Sequence, residues 1–106
     1  MLDRQSLENV AQIFKVFADA NRLAILQSLK SEAKNVGQLA VDLELSQPNV
    51  SQHLAVLHDA KIVHRKKRGT AVFYSIDDDF VFPLCQLICD KLNREIAETE
   101  DLSYTI

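Results

Sequence analysis

Residues 45–76 read LSQPNVSQHLAVLHDAKIVHRKKRGTAVFYSI, and this stretch decides the fold. Ser46 can accept a hydrogen bond from an orphan amide of a helix's first turn, and Pro48 falls where a missing N–H costs nothing. From there Val50, Leu54 and Leu57 recur at three- and four-residue steps, the period of a helix with one buried side. After Lys61 the period changes. Ile62, Val63 and His64 lead into Arg65-Lys66-Lys67-Arg68-Gly69-Thr70, and Ala71 to Ile76 are rich in β-branched and aromatic residues. The pattern predicts a helix followed by a β-hairpin with a run of cations at its tip.

Toward the N-terminus, Asn35 begins a short helix with Val36, Leu39, Ala40 and Leu43 turned inward. It ends abruptly near Glu44, so only Leu45 and Ser46 separate it from the next helix. Asp19 caps a helix running to about Ser31 whose buried side is Leu23, Ile25, Leu26 and Leu29. Ahead of it, Leu7, Val10, Ala11, Phe14 and Phe17, widened by Ile13 and Val16, mark a broadly apolar helix for which Ser6 offers the cap. Toward the C-terminus, Asp77 to Asp79 can cap a last helix that becomes regular near Phe82 and carries Leu84, Leu87, Ile88, Leu92 and Ile96. Residues 98–106 show no period and read as a frayed tail. A mainly α chain with four helices, a small β-hairpin and a fifth helix has the element order of a winged helix-turn-helix, here in a single domain over residues 1–106.

The chain has 106 residues, the size of one domain. No stretch approaches the roughly 20 apolar residues a membrane span requires, and the N-terminus lacks a basic-then-apolar leader, so a cytoplasmic protein with no membrane partner is expected. No Cys-x-x-Cys, phosphate-cradling glycine loop or acid/base constellation occurs, so an enzyme is not expected. The net charge of −3 argues at first against a polyanionic partner. Its distribution reverses that inference. Residues 46–76 carry 5 basic and 1 acidic side chains, whereas residues 77–106 carry 2 and 8. A phosphate backbone responds to charge within a Debye length of about 10 Å, which makes the cationic middle segment the informative one.

At about 100° per residue, the side of the fourth helix opposite Val50, Leu54 and Leu57 is small and polar. Gln47, Ser51 and Gln52 lie near its N-terminal end, with Pro48 and Asn49 beside them. Short hydrogen-bonding side chains there suit the major groove of double-stranded DNA, and carboxamides can pair bidentately with adenine. Arg65, Lys66, Lys67 and Arg68, with Thr70, are the candidate backbone contacts, because four adjacent cations repel one another until phosphates relieve them. An ordinary polar helix face and a solvated charge run explain the same residues, as does a winged-helix module docking on an acidic protein surface. The arc of the first helix formed by Val10, Ile13, Phe14 and Phe17 is too wide for one small domain to cover. With Leu84, Leu87, Ile88 and Leu92 of the last helix it predicts a homodimer.

In these motifs the chain resembles the ArsR/SmtB family of dimeric winged-helix repressors. The resemblance spans about residues 7–97 and rests on FADANRLAILQSL (Phe17 to Leu29) and on the 45–76 stretch, including its Val-Ser-x-His-Leu core and Gly69. It implies a homodimer formed through the first and last helices, a two-fold operator read by Gln47, Ser51 and Gln52, and release by an inducer. Pro48 stands where the family more usually has a small hydroxyl residue. The cysteine-x-cysteine of family arsenic and cadmium sensors is missing from the third helix, and residues 77–98 hold no histidine for a zinc-type site. His53, His58 and His64 read as packing, phosphate-contacting or surface residues rather than ligands.

That leaves Cys85 and Cys89, four residues apart and therefore on one side of the last helix. Cysteine is also a common small core residue. As sensors, the pair would take a thiophilic metal ion or metalloid or be oxidised; as packing residues, they would leave a constitutive regulator.

Overall fold

The structure, a computed structural model, describes residues 1–76, 79–96 and 103–106. Its elements follow the order α1 (Arg4–Phe17), α2 (Ala20–Leu29), α3 (Val36–Leu43), α4 (Gln47–Asp59), β1 (His64–Arg68), β2 (Ala71–Ser75) and α5 (Val81–Ile96). This is the winged helix-turn-helix expected from the sequence. Asp77 and Asp78, expected as caps of the last helix, lie outside the described residues.

The caps account for most boundaries. Asp19 accepts hydrogen bonds from the amides of Asn21 and Arg22, and Ser46 accepts from that of Asn49. Asn35 and Gln38 exchange reciprocal side-chain to backbone bonds, a capping box at the head of α3. Glu44 adopts a left-handed φ of 56° and stops α3 there, which sets the tight turn into α4. At α1 the expectation is corrected. The cap is Asp3, accepting from the amide of Ser6, and the helix therefore starts at Arg4 rather than after Ser6. α2 likewise ends at Leu29, two residues before Ser31.

The core forms where α2, α3 and α4 meet. Ile25, Leu26, Leu39, Val50, Leu54 and Leu57 are completely enclosed, and Ile62, Val63 and Val81 close its floor. Only Val81 and Cys85 of α5 are buried, and α1 contributes Val16 and Phe17 from its last turn alone. Both helices thus touch the core at one end and leave long apolar flanks outside it.

The hairpin corrects a second expectation. β1 and β2 pair antiparallel from His64 opposite Ser75 to Arg68 opposite Ala71. The four cations consequently form the strand itself, and the turn is only Gly69 and Thr70, with Gly69 at φ +63°. Glycine first in a two-residue turn fits type II′, whose twist matches that of the strands. Lys34 adds an isolated bridge to Tyr74, with N···O distances of 3.0 and 2.8 Å, tying the wing to the segment before α3.

Candidate nucleic-acid interface and effector region

Gln47, Pro48, Ser51 and Gln52 are all exposed on the N-terminal half of α4, while Val50, Leu54 and Leu57 on its other side are sealed in the core. Burial of that apolar side fixes the helix's rotation and so which side chains project. Asn49 behaves differently from its neighbours. It is half-buried, and its side-chain oxygen is shielded from solvent with no hydrogen-bond partner among the described residues, so its carboxamide is less available than those of Gln47 and Gln52.

On the wing, Arg65, Lys66, Lys67, Arg68 and Thr70 are exposed. Because side chains alternate along a strand, Lys66 and Arg68 share one face with Phe73, while Arg65 and Lys67 share the other with Tyr74 and Val72. The Arg68 guanidinium lies 5.4 Å from the centre of the Phe73 ring, a cation–π contact that orders one of the four cations. Tyr74 packs on the core, so the wing's second face is anchored at its base.

A polar cluster that the sequence did not flag joins α1, α2 and α4. Arg22 donates to the carbonyls of Val16 (2.6 Å) and Lys15 (3.0 Å) in the last turn of α1, the latter also accepting the Ala18 amide. Its other nitrogen lies 3.4 Å from His53 Nδ1 on α4, and His53 Nε2 is 4.0 Å from Asp19 Oδ1. Asp19 is held below the usual carboxylate range, chiefly by the amide of Arg22 and also by the nearby His53 and the Arg22 guanidinium. The available signal was the Asp19-x-x-Arg22 spacing, which places the two side chains on one helix turn. His53 is therefore a packed, hydrogen-bonded residue, one of the roles expected of it.

Away from α4 and the wing in the chain, α1 exposes Val10, Ile13 and Phe14, and α5 exposes Leu87 at 67% and Ile88 at 50%. Phe17, grouped with them in the sequence, is instead buried in its own protomer, edge-on to the Phe80 ring with centroids 6.0 Å apart. Leu84 packs on the core and Leu92 is half-buried. Cys85 is buried and Cys89 half-buried, both as free thiols. Burial pushes the Cys85 thiol up, and the neighbouring Cys89 adds to the shift, so Cys85 holds its proton more firmly than an exposed thiol does. Among the described residues no group of three or more His, Cys, Asp or Glu side chains gathers in a metal-holding arrangement.

The C-terminal residues depart from the expected frayed tail. Residues 97–102 lie outside the described residues, but 103–106 pack back against α2 and α5. Asn93 on α5 both donates to the Tyr104 carbonyl (2.9 Å) and accepts from the Tyr104 amide (2.6 Å), and Lys30 Nζ donates to the Ile106 carbonyl (2.7 Å). No helix among the described residues is long and apolar enough to cross a membrane.

Comparison with known proteins agrees with this geometry. The family model for bacterial regulatory proteins of the arsR family matches residues 19–65, from the Asp19 cap to the first cation of the wing. The transcriptional regulator KmtR of Mycobacterium tuberculosis is 38% identical over 89 residues, covering 83% of this chain and 66% of that protein. The crystal structure of M. tuberculosis Rv0081 superposes with a TM-score of 0.82 at 30% identity, over 91% of this chain and 97% of the other. The homodimeric winged helix-turn-helix DNA-binding domain of Mycobacterium bovis Mb0332 gives 0.77 at 25% identity, over 96% and 97%. With the exposed polar side of α4, the cationic wing and these relatives, the chain belongs to the ArsR family of bacterial helix-turn-helix regulatory proteins and is a DNA-binding transcription regulator.

Proposed function

We propose that the protein is a homodimeric repressor, a single domain over residues 1–106 acting in the cytoplasm. It holds an inverted-repeat operator and releases it when an effector acts on α5. The observation that carries the reading is the exposure of Gln47, Ser51 and Gln52 on α4 in a chain that also exposes the cationic β1 strand. Gln47, Ser51 and Gln52 read base edges in the major groove, with Pro48 and Asn49 at the margin. Arg65 to Arg68 and Thr70 hold the phosphate backbone. The exposed flanks of α1 and α5 pair with those of a second copy, as the homodimeric architecture of the Mb0332 domain suggests. That pairing sets two recognition helices about 34 Å apart, one turn of DNA.

Cys85 and Cys89 are the proposed effector-responsive groups, because both line one cavity beside the exposed flank of α5. They would bind a thiophilic ion such as arsenite or Cd(II), or lose two protons and two electrons to an oxidant and form a disulfide. Either change distorts α5, and with it the spacing of the two recognition helices.

Fluorescence anisotropy with inverted-repeat and random duplexes, titrated with salt, tests the reading. A sequence preference together with a steep loss of affinity on raising salt is expected. Equal affinity for both duplexes overturns the repressor and favours a module for an acidic protein surface. Loss of DNA binding on arsenite or diamide treatment that persists in C85S and C89S variants overturns the role of the thiols.

A further inference from the structure

Between α2, α5 and residues 103–106 lies a cavity of about 350 Å³, within the size range of small-molecule sites. Leu23, Ile88, Leu92 and Ile106 supply its walls together with the two cysteines, and no charged side chain lines it. Its polar side chains are few and uncharged, namely those of Gln27, Ser103, Tyr104 and Thr105. An ion with no affinity for thiols would surrender its hydration there without a charged side chain to replace it, which costs far more than such a lining returns.

The manner of closure is as informative as the lining. Residues 103–106 are short enough to settle onto α5 and fill the gap, and apolar walls left without neighbours forfeit dispersion contacts. They are instead held at their outer side by the paired Asn93–Tyr104 hydrogen bonds and by Lys30 on Ile106. Polar staples at the rim thus keep an apolar space open beneath. Until a thiophilic reagent displaces its proton, the buried Cys85 thiol is one more small uncharged wall group.

We propose that this cavity binds a small, uncharged, predominantly apolar molecule of roughly ten to twenty non-hydrogen atoms, with residues 103–106 as its lid. The inference rests on the reading of α5 as the effector-responsive helix only in giving the bound molecule a route to DNA release. Binding itself is a separate claim.

The test uses the full chain and N-phenyl-1-naphthylamine, an uncharged apolar dye that fluoresces when it leaves water. One saturable site per chain is expected. C89F fills the cavity from α5 and T105W from the lid, where a large residue cannot disturb the core, and each should weaken the dye by about tenfold or more. Octanol should displace the dye better than octanoate does. Absence of saturable binding, an affinity unchanged in both variants, or preferential displacement by octanoate overturns the proposal. Anisotropy on operator DNA separates the two readings. Saturable dye binding that leaves DNA affinity unaltered sustains the cavity and removes its link to DNA release, whereas DNA release by arsenite without any dye site removes the cavity and keeps α5 as the effector helix.

Discussion

The two halves of the surface have opposite requirements. Around α4 and the wing, the exposed groups include carboxamides, the hydroxyls of Ser51 and Thr70, and four cations. Along α1 and α5 they are Val10, Ile13, Phe14, Leu87 and Ile88. Both halves stand on the same enclosed leucines, so the contrast is not one of stable against unstable packing. It is one of solvation. The first half is content in water and gains when a polyanion replaces the counterions around β1. The second leaves large apolar side chains of both helices in water, and in the proposed dimer a like surface covers them. One half therefore depends on salt and the other on protein concentration.

The strongest way to break this contrast is to make the second half resemble the first. The double variant F14D/L87D places carboxylates in the two most exposed large apolar positions of α1 and α5. Sedimentation should show a monomer, and operator affinity should fall by about a thousandfold, or about 4 kcal/mol, because two linked half-site contacts become one. A variant that stays dimeric would place the interface elsewhere. Attacking the shared support should instead weaken both halves together. Leu54 is entirely enclosed, and L54A should cost about 3 kcal/mol in urea unfolding through lost burial and a residual cavity. An effect below about 1 kcal/mol would mean the core collapses around the gap.

Within the first half, α4 and β1 should separate by the kind of loss rather than its size. Q52A should weaken operator DNA by about 1.5 kcal/mol while leaving random duplex nearly untouched, since a base-edge contact is lost. K66A should weaken both duplexes alike and lower the salt slope by about 1. If Q52A behaved like K66A, α4 would be resting on phosphates and not reading bases.

The sequence carried the first half far better than the second. Ser46, Pro48 and the Val50, Leu54, Leu57 spacing are local signals, and each is sufficient to place α4 because cap chemistry and helical period act within a few residues. The wing was legible as a hairpin but not in its details. Four cations look like a loop by composition, and only the left-handed Gly69 followed by Thr70 confines the turn to two residues and makes the cations a strand. The start of α1 was misplaced because Asp3 and Ser6 are equally able caps and the polar Arg4 and Gln5 carry no period. Phe17 belonged to the apolar arc of α1 in the sequence, yet α1 turns inward only at its last turn, where Phe80 waits from sixty-odd residues away. The packing of Tyr104 and Ile106 had no local signal at all, since it depends on Asn93 and Lys30 side chains brought near by the fold.

The cluster of Asp19, Arg22 and His53 sits between the halves, and it offers the subtlest test of the contrast. Arg22 closes the end of α1 and reaches α4 through His53, so it is the polar link between the helix proposed for pairing and the helix proposed for reading. Asp19 holds that link as a carboxylate whose pKa is depressed in the fold, first by the Arg22 amide. A carboxylate with a depressed folded pKa adds stability above its ordinary value of 3.8, and that stability is lost as the pH falls below it through the folded value. D19N keeps the cap, because asparagine accepts the same amide hydrogen bonds, and removes only the charge. At neutral pH the variant should therefore lose a little stability in urea unfolding, and below pH 3.8 its stability should converge on that of the parent as Asp19 becomes protonated. Two curves that stay parallel across this range would show that the charge contributes nothing and that capping alone orders the junction between α1 and α4.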